Sequence, residues 1–468
     1  MKKRVISILV SSGLLAGMLA ATAGPAAATS ASSTDWNYVP LNIATQIGPA
    51  KTAPNGIPLC TSKSLGSLVC YSPAFIKTAY NFPSGLDGTG QTIVIVDAYG
   101  SPTITSDLAT FDSMFGIAPP PSFTIMCGTG GCPATPATAD KRHGPGGWAT
   151  ETSLDVEYAH AMAPGANIVL DVAATSSGNA INVAETKAIA LYPGAIFSQS
   201  FGIAEAYIKA GANNAQVKQG QKNYAAGVAK GDTFFASAGD SGADFGFGFA
   251  MAEFPGSDLH NTSVTGTQGL PYLTPGTLTP CGSAICSAGL ATYQGPCALG
   301  RTTPPPCTPV GYGGEQVWNE PSFGAATGGA PSLLFGVPSY QSGLGLTARG
   351  PDVAYNAAID GGVLVVESPY LYFVGGTSAG SPQWAGIAAL ANQARAMASK
   401  GPIGDLNPTL YSIASNATSY AADFHDITVG NDILAPSTVG YPAGTGYDLA
   451  SGLGTPNVAN LVASLAAH

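Results

Sequence analysis

The sequence predicts an α/β fold, a mainly parallel sheet with helices on both faces, and three observations support that expectation. Apolar strand-like runs alternate with helical patterns between Gln91 and Ala238, the rhythm of parallel strands joined by crossover helices. Near residue 375 an apolar run of strand type ends in two glycines and a long run of helix type begins. The 468 residues suit one large domain or two.

Taken in order, Lys2-Lys3-Arg4, the apolar stretch from Val5 to Ala21 and Pro25-Ala26-Ala27-Ala28 have the three parts of a secretory signal peptide. Residues 1–28 are therefore expected to be removed, and the protein to be secreted to the extracellular side without stable membrane association. Residues 29–70 are rich in Ser, Thr, Ala and Pro and show no sustained period, so they read as a short pro-segment or extended arm. A globular domain is expected over 71–468, beginning with Tyr71-Ser72-Pro73.

Within that domain the pattern predicts strands at 91–97, 167–173, 195–201 and 233–238, and helices at 149–162, 179–191 and 213–230. From about 245 to 330 the rhythm breaks into a stretch rich in Gly, Pro and Thr with half of the eight cysteines. It reads as a long disulfide-pinned insertion with some strand near 261–264 and 315–318. Gly361 to Val366 and Tyr370 to Val374 predict two strands around a Ser-Pro turn, and the helical run after Pro382 stops at Gly401-Pro402.

The cysteines fall in close couples, Cys60 with Cys70, Cys127 with Cys132, Cys281 with Cys286 and Cys297 with Cys307. In an exported chain local disulfides are the simplest connectivity, and no His accompanies the couples at zinc-ligand spacing. The net charge is -10, with only 9% of residues charged, which argues against nucleic acid as a partner. So few carboxylates also permit work in acid, because few groups would penalise folding on protonation.

Four side chains stand out as candidates for chemistry. Ser378, in Gly375-Gly376-Thr377-Ser378-Ala379-Gly380-Ser381-Pro382, opens a helix, where free N–H groups and the dipole favour a developing anion. Alone it could equally be a helix cap. Glu151 and Asp155 are four residues apart on a predicted helix, hence neighbours on one side; alone they could be a solvated acidic face. Asp240 follows the apolar run Phe234 to Ala238 between Gly239 and Ser241-Gly242, where a turn Asp is common.

The surrounding strings add to this. Gly-Thr-Ser with a proline four residues after the serine, followed by Ala385-Gly386, resembles the nucleophile segment shared by subtilisins and sedolisins, the serine-carboxyl peptidases. The Glu151-Thr-Ser-Leu-Asp155-Val-Glu157 string and the following Ala163-Pro164-Gly165-Ala166 resemble the sedolisin motif, and so does Ser237-Ala238-Gly239-Asp240. The resemblance covers 71–468 and implies a subtilisin-like fold. It further implies a monomeric acid-acting endopeptidase for protein or peptide substrates: Ser378 nucleophile, Glu151 general base, Asp155 its orienting partner, and Asp240 lining the oxyanion hole beside the Ser378 N–H.

Phe424-His425-Asp426-Ile427-Thr428 and Ala443-Gly444-Thr445-Gly446-Tyr447-Asp448 resemble the calcium site of the same family. By that resemblance one structural Ca2+ would take carboxylate oxygens from Asp426 and Asp448 and carbonyl oxygens from Ile427, Gly444 and Gly446, with water filling a shell of about six to eight. Sedolisins commonly carry a long folded pro-domain, whereas about forty residues separate the expected signal cleavage from the globular domain here. Two other readings stay open: a Ser-His-Asp peptidase of subtilisin type using Asp97 and His143, and a secreted binding protein on the same fold.

Overall fold

The structure is a computed structural model and describes residues 35–50, 59–62, 66–127, 147–269 and 312–468. The expected signal peptide, His143, five of the cysteines and the centre of the expected insertion lie outside the described residues. Cys60 and Cys70 fall within strands whose side chains are likewise outside the description; Cys127 is not a free thiol.

The amino-terminal arm supplies strands β1 (Val39–Pro40), β2 (Ile43–Pro49), β3 (Leu59–Ser62) and β4 (Gly66–Tyr71), followed by helix α1 (Pro73–Ala79). Then come β5 (Thr92–Ala98), α2 (Ile104–Phe115), β6 (Phe123–Cys127), α3 (Trp148–Met162), β7 (Asn167–Ala173) and α4 (Gly178–Leu191). The stretch expected as one strand at 195–201 is two, β8 (Ile196–Gln199) and β9 (Phe201–Ala204), separated at Ser200. Helix α5 (Ala215–Val228) and strands β10 (Thr233–Ser237), β11 (Glu253–Phe254) and β12 (Asn261–Gly269) follow. After the undescribed stretch come β13 (Glu315–Val317), β14 (Asn319–Glu320), β15 (Ala325–Ala326), β16 (Val353–Asn356), β17 (Gly362–Glu367), β18 (Tyr370–Gly375) and helix α6 (Gly380–Met397).

Eight strands make the central sheet, in the order β13-β12-β10-β8-β5-β7-β6 with β16 also on β12. Every pairing in it is parallel except β12 with β13. The expected α/β, subtilisin-like architecture is therefore the one observed. Its strands read as unbroken apolar runs because successive side chains enter different cores. Ile93 and Ile95 pack with α3 and α6 on one face. Val94 and Val96 pack with α4 and α5 on the other. A second, five-stranded sheet runs β2-β18-β17-β4-β3, and a small antiparallel sheet joins β1, β9 and β11.

The strand expected at both ends of this stretch, near 261–264 and 315–318, is present. Residues 261–269 form β12, an interior strand paired with β10 and β16, and 315–317 form the antiparallel edge β13. Asn261-Thr-Ser-Val-Thr-Gly-Thr is polar for an interior strand. Its side chains are nonetheless buried and satisfied: Thr262 donates to Asn407 Oδ1, and Thr265 to the Val353 carbonyl.

Helix α3 is buried on every side rather than on the expected apolar face alone. Its polar groups reach the neighbouring β17: Tyr158 donates to the Leu364 carbonyl at 3.0 Å, and Glu157 accepts the Val366 N–H at 3.0 Å. On its other flank α3 meets α6 closely. At Gly386 a Cβ would stand 2.5 Å from Met162 Cβ, so this crossing requires glycine. Gly386→Ala is predicted to destabilise the fold by about 1–3 kcal/mol through overpacking, read as a lower melting temperature and a lower denaturant midpoint at unchanged m-value.

Candidate active site

Glu151 and Asp155 project from adjacent turns of α3, and both side chains are fully buried. A solvated acidic face is therefore not what they form. Asp97, at the carboxyl end of β5, lies against them and is also fully buried. Neither oxygen of Asp97 or Asp155 has a hydrogen-bond partner among the described residues, nor does Glu151 Oε1. The ion pairs among the described residues lie elsewhere, Arg349 with Asp352, His160 with Asp112 and His260 with Asp405. Burial first, then the neighbouring carboxylates, raises the pKa of both Glu151 and Asp155; burial raises Asp97 too. With no cation nearby among the described residues, the group holds protons in preference to charge.

Ser378 is brought to this cluster by the end of β18. The strand stops at Gly375, and Gly376 turns the chain with φ of +114°. Thr377–Ala379 form one 3-10 turn before α6 begins. Gly376 is needed for room as well as for dihedral angle: a Cβ there would stand 2.5 Å from Asp240 Oδ2 and 2.6 Å from the Leu41 carbonyl oxygen. The fully buried Ser378 hydroxyl donates to the Ser200 carbonyl at 3.1 Å. It also lies close enough to Glu151 to favour that residue's ionised form. Ser378 and Glu151 are therefore neighbours, with the hydroxyl turned toward Ser200.

Asp240 follows β10 at the carboxyl end of the sheet. Its Oδ1 accepts both the N–H and the hydroxyl of Thr377 at 2.8 Å each, while Oδ2 has no partner among the described residues. Burial pushes its pKa up to about 7, with the two Thr377 bonds opposing. Oδ2 is thus the oxygen free to carry a proton, beside Gly376 and Ser378. The Ser378 N–H expected at an oxyanion hole is occupied: it donates to the Leu41 carbonyl at 3.0 Å. Asn42 next to it donates its side-chain amide to Glu151 Oε2 at 2.5 Å.

Three members of this neighbourhood were not singled out for these places by sequence reasoning. Asp97 was legible only as the acid of a His-dependent site. Ser200 contributes through its backbone carbonyl, which no side-chain pattern announces. Asn42 sits in an arm without period, although its position next to Pro40-Leu41 in an otherwise polar stretch is a weak signal. The described histidines lie away from Ser378: His160 contacts the Ala118 carbonyl, His260 pairs with Asp405, and His425 stacks on Tyr312.

The expected calcium ligands gather around one turn. Both oxygens of Asp426 accept the Gly446 N–H, and Asp448 Oδ2 accepts the Gly444 N–H at 2.9 Å. The two carboxylates thus fold onto the same glycine-containing loop. Among the described residues no hydrogen bond reaches the carbonyl oxygens of Ile427, Gly444 or Gly446. No three His, Cys, Asp or Glu side chains converge on a metal-sized point among the described residues, so a cation here would depend on those carbonyls. An all-oxygen donor set of this kind fits a hard divalent ion.

A mainly parallel sheet with helices on both faces, presenting a serine at a helix head at its carboxyl edge, defines a subtilisin-like α/β protein. No family model matches the chain. It is 31% identical over 399 residues to kumamolisin of Bacillus sp. (strain MN-32), spanning 82% of this chain and 62% of that protein. It is 26% identical over 405 residues to sedolisin of Pseudomonas sp. (strain 101), covering 85% and 62%. The chain thus spans less than two thirds of the length of these relatives. The solved Pseudomonas sedolisin, a serine-carboxyl proteinase complexed with two molecules of pseudo-iodotyrostatin, superposes with a TM-score of 0.64 at 25% identity, covering 85% of this chain and 98% of that one. The chain belongs to the sedolisin family.

The raised carboxyl pKa values carry a stability prediction. A carboxyl whose folded-state pKa lies above its unfolded value contributes stability that is full below the unfolded value near 4 and is lost as pH rises through the folded one. Asp240 and Asp171 are pushed up to about 7 and Glu185 to about 8, each chiefly by burial. The melting temperature is therefore predicted to fall steadily between about pH 5 and pH 8; calorimetry showing the reverse trend would contradict these shifts.

Proposed function

We propose that the protein is an exported, monomeric endopeptidase that cleaves protein or peptide substrates in acid through Ser378, Glu151, Asp155 and Asp240. The observation that carries this reading is a serine at a helix head beside a fully buried carboxylate pair that has no cation among the described residues. The family membership of the chain supports the same chemistry.

In this mechanism Ser378 Oγ attacks the carbonyl carbon of the scissile bond while Glu151 takes its proton. Asp155 is one turn along α3 and holds the second proton of the pair, leaving one ionised carboxylate able to act as base. The tetrahedral oxyanion accepts hydrogen bonds from the Ser378 N–H and from protonated Asp240. Because Thr377 occupies Oδ1 with two donors, the proton of Asp240 is carried on Oδ2. Glu151 then delivers its proton to the leaving amine, and water repeats the cycle on the acyl-enzyme.

Acid suits this arrangement because Asp240 must be neutral to donate. Its loss of a proton near pH 7 sets the expected upper limit of activity. Calcium belongs to the same proposal as a structural ion: Asp426 and Asp448 would hold it with the carbonyls of Ile427, Gly444 and Gly446, tying the carboxyl-terminal loops together.

Peptide-library hydrolysis from about pH 2 to 8 tests the reading. Ser378→Ala and Glu151→Gln are each expected to lower kcat/KM by at least about 10³-fold, and His143→Ala to leave most activity; survival of Glu151→Gln would move the base elsewhere. Asp240→Asn keeps a donor at every pH, so its activity should be about 10²-fold lower in acid and should no longer fall near pH 7. A melting temperature unchanged by complete chelation would refute the calcium assignment, for which a clear decrease is expected.

A further inference from the structure

A chain of buried polar side chains that the mechanism above does not use lies behind the active site, between α4, α5 and β8. Glu185 of α4 has two neighbours from α5. The Asn223 amide donates to its Oε2 at 3.2 Å, and the Tyr224 hydroxyl oxygen stands 3.2 Å from its Oε1. The same Tyr224 hydroxyl reaches Gln199 Oε1 at 2.9 Å. Gln199 is the last residue of β8, and its amide donates to Asn261 Oδ1 at 3.0 Å. Asn261 in turn donates its own amide to the Pro255 carbonyl at 3.0 Å. None of Glu185, Tyr224, Gln199 and Asn261 is more than 1% exposed.

The direction of this chain is fixed by its ends. A backbone carbonyl only accepts, so Asn261 turns its amide nitrogen to Pro255 and its oxygen to Gln199. Gln199 then has an oxygen left for Tyr224, and the single phenolic proton goes to it. At the other end the Asn182 carbonyl orients Asn223, whose amide it accepts at 2.9 Å. The contact between Tyr224 and Glu185 therefore joins two oxygens and needs a proton from Glu185. A protonated Glu185 completes an unbroken series of donors running toward Gln199. An ionised Glu185 takes the Tyr224 proton for itself and leaves the Gln199 oxygen without a donor. Burial is the chief reason that the Glu185 pKa is pushed up to about 8, with Asn223 and Tyr224 opposing and Asp171 of β7 and Asp258, ahead of β12, adding to the rise. Tyr38 of the amino-terminal arm also faces Glu185, and burial first, then that carboxyl, keeps both Tyr38 and Tyr224 neutral. Lys187 lies near Asp171, and no cation among the described residues pairs with Glu185.

Gln199 is where this chain meets the active site. Its N–H donates to Ser381 Oγ at 3.3 Å, and Ser381 Oγ lies 2.9 Å from Ser198 Oγ, so β8 grips α6 one turn past Ser378. Ser200, the next residue, exchanges two hydrogen bonds with Ser378. The Ser378 hydroxyl donates to the Ser200 carbonyl at 3.1 Å, and the Ser200 hydroxyl donates to the Ser378 carbonyl at 3.2 Å. Ser200 falls in the gap between β8 and β9, so the orientation of its peptide depends on what holds Gln199 beside it. We propose that Gln199, Tyr224 and protonated Glu185 are positioning residues for the peptidase reaction, holding Ser200 and through it Ser378 in place, and that ionisation of Glu185 loosens this hold. The proposal rests on the peptidase reading above. None of the three touches the reacting atoms; they act through the Ser200 peptide. Their effect is separate from that of Asp240, whose loss of a proton near pH 7 removes an oxyanion donor.

The test measures peptide hydrolysis from about pH 4 to pH 9, well below the melting temperature of each protein, for the unaltered chain, Tyr224→Phe, Asp240→Asn, and Asp240→Asn combined with Glu185→Gln. Tyr224→Phe keeps the ring that packs 5.2 Å from Phe234 but leaves the Gln199 oxygen without its donor at every pH. Its kcat at pH 4 is expected to be about 10-fold lower, with KM changed by less than about twofold. Asp240→Asn removes the fall near pH 7 and should expose a further several-fold fall in kcat centred near pH 8. Glu185→Gln, whose amide can donate to Tyr224 at every pH, is expected to abolish that second fall. A folded Tyr224→Phe with unaltered kcat would overturn the positioning role and leave the peptidase reading standing. So would a fall near pH 8 that is missing from Asp240→Asn or that survives Glu185→Gln. An unaltered chain that hydrolyses nothing at any pH would overturn both readings.

Discussion

The structure depends on a concentration of acid buried away from the surface, with no counter-charge among the described residues. Asp97, Glu151 and Asp155 have no exposed surface, Asp240 has very little, and no Lys or Arg among the described residues pairs with them. Burying an unpaired carboxylate costs several kcal/mol, and the cheaper course is to keep a proton. Much of the surrounding architecture can be understood as deciding which oxygen keeps it. Thr377 gives both its donors to one oxygen of Asp240, and Asn42 gives its amide to one oxygen of Glu151. Each carboxyl is thereby polarised, one oxygen bonded and the other free.

The scaffold meets this constraint by making the helix that bears Glu151 and Asp155 an interior element. Such a helix cannot be amphipathic in the usual sense, and α3 is not. Two of its polar side chains, Tyr158 and Glu157, bond to β17, while the turn leading into α6 brings Ser378 from the other side. The carboxyl ends of β5 and β10 then deliver Asp97 and Asp240 from two strands of the parallel sheet. Four separate elements meet at one edge, where a doubly covered parallel sheet leaves its ligand-binding crevice.

Much of this was legible in the amino acids. The strand-helix alternation locates α3, β7, α4, β10 and α6 within a few residues, because buried parallel strands are apolar throughout. Ser378, Glu151, Asp155 and Asp240 stand in strings distinctive enough to be singled out, and they are brought into one neighbourhood. What escaped did so for physical reasons. β12 was legible as strand only near 261–264, and its place inside the sheet was not, because it is polar and its Thr hydroxyls are satisfied by partners far along the chain such as Asn407 and Val353. The arm has no period because its order comes from pairing with β9 and β18, not from an apolar face of its own. Ser200 works through a carbonyl that every residue possesses.

The crossing at Gly386 sets the distance between the two helices that carry the serine and the carboxylate pair. Met162 belongs to the same helix as Glu151 and Asp155, and Gly386 lies about two turns beyond Ser378, so the contact acts as a ruler between the serine and the carboxylate pair. Packing and chemistry are thus not separate traits of this molecule. Enlarging or loosening that crossing would shift Ser378 relative to Glu151 and Asp155 at the same stroke, whereas the apolar side chains on the sheet face lined by α4 and α5 can be repacked without moving them.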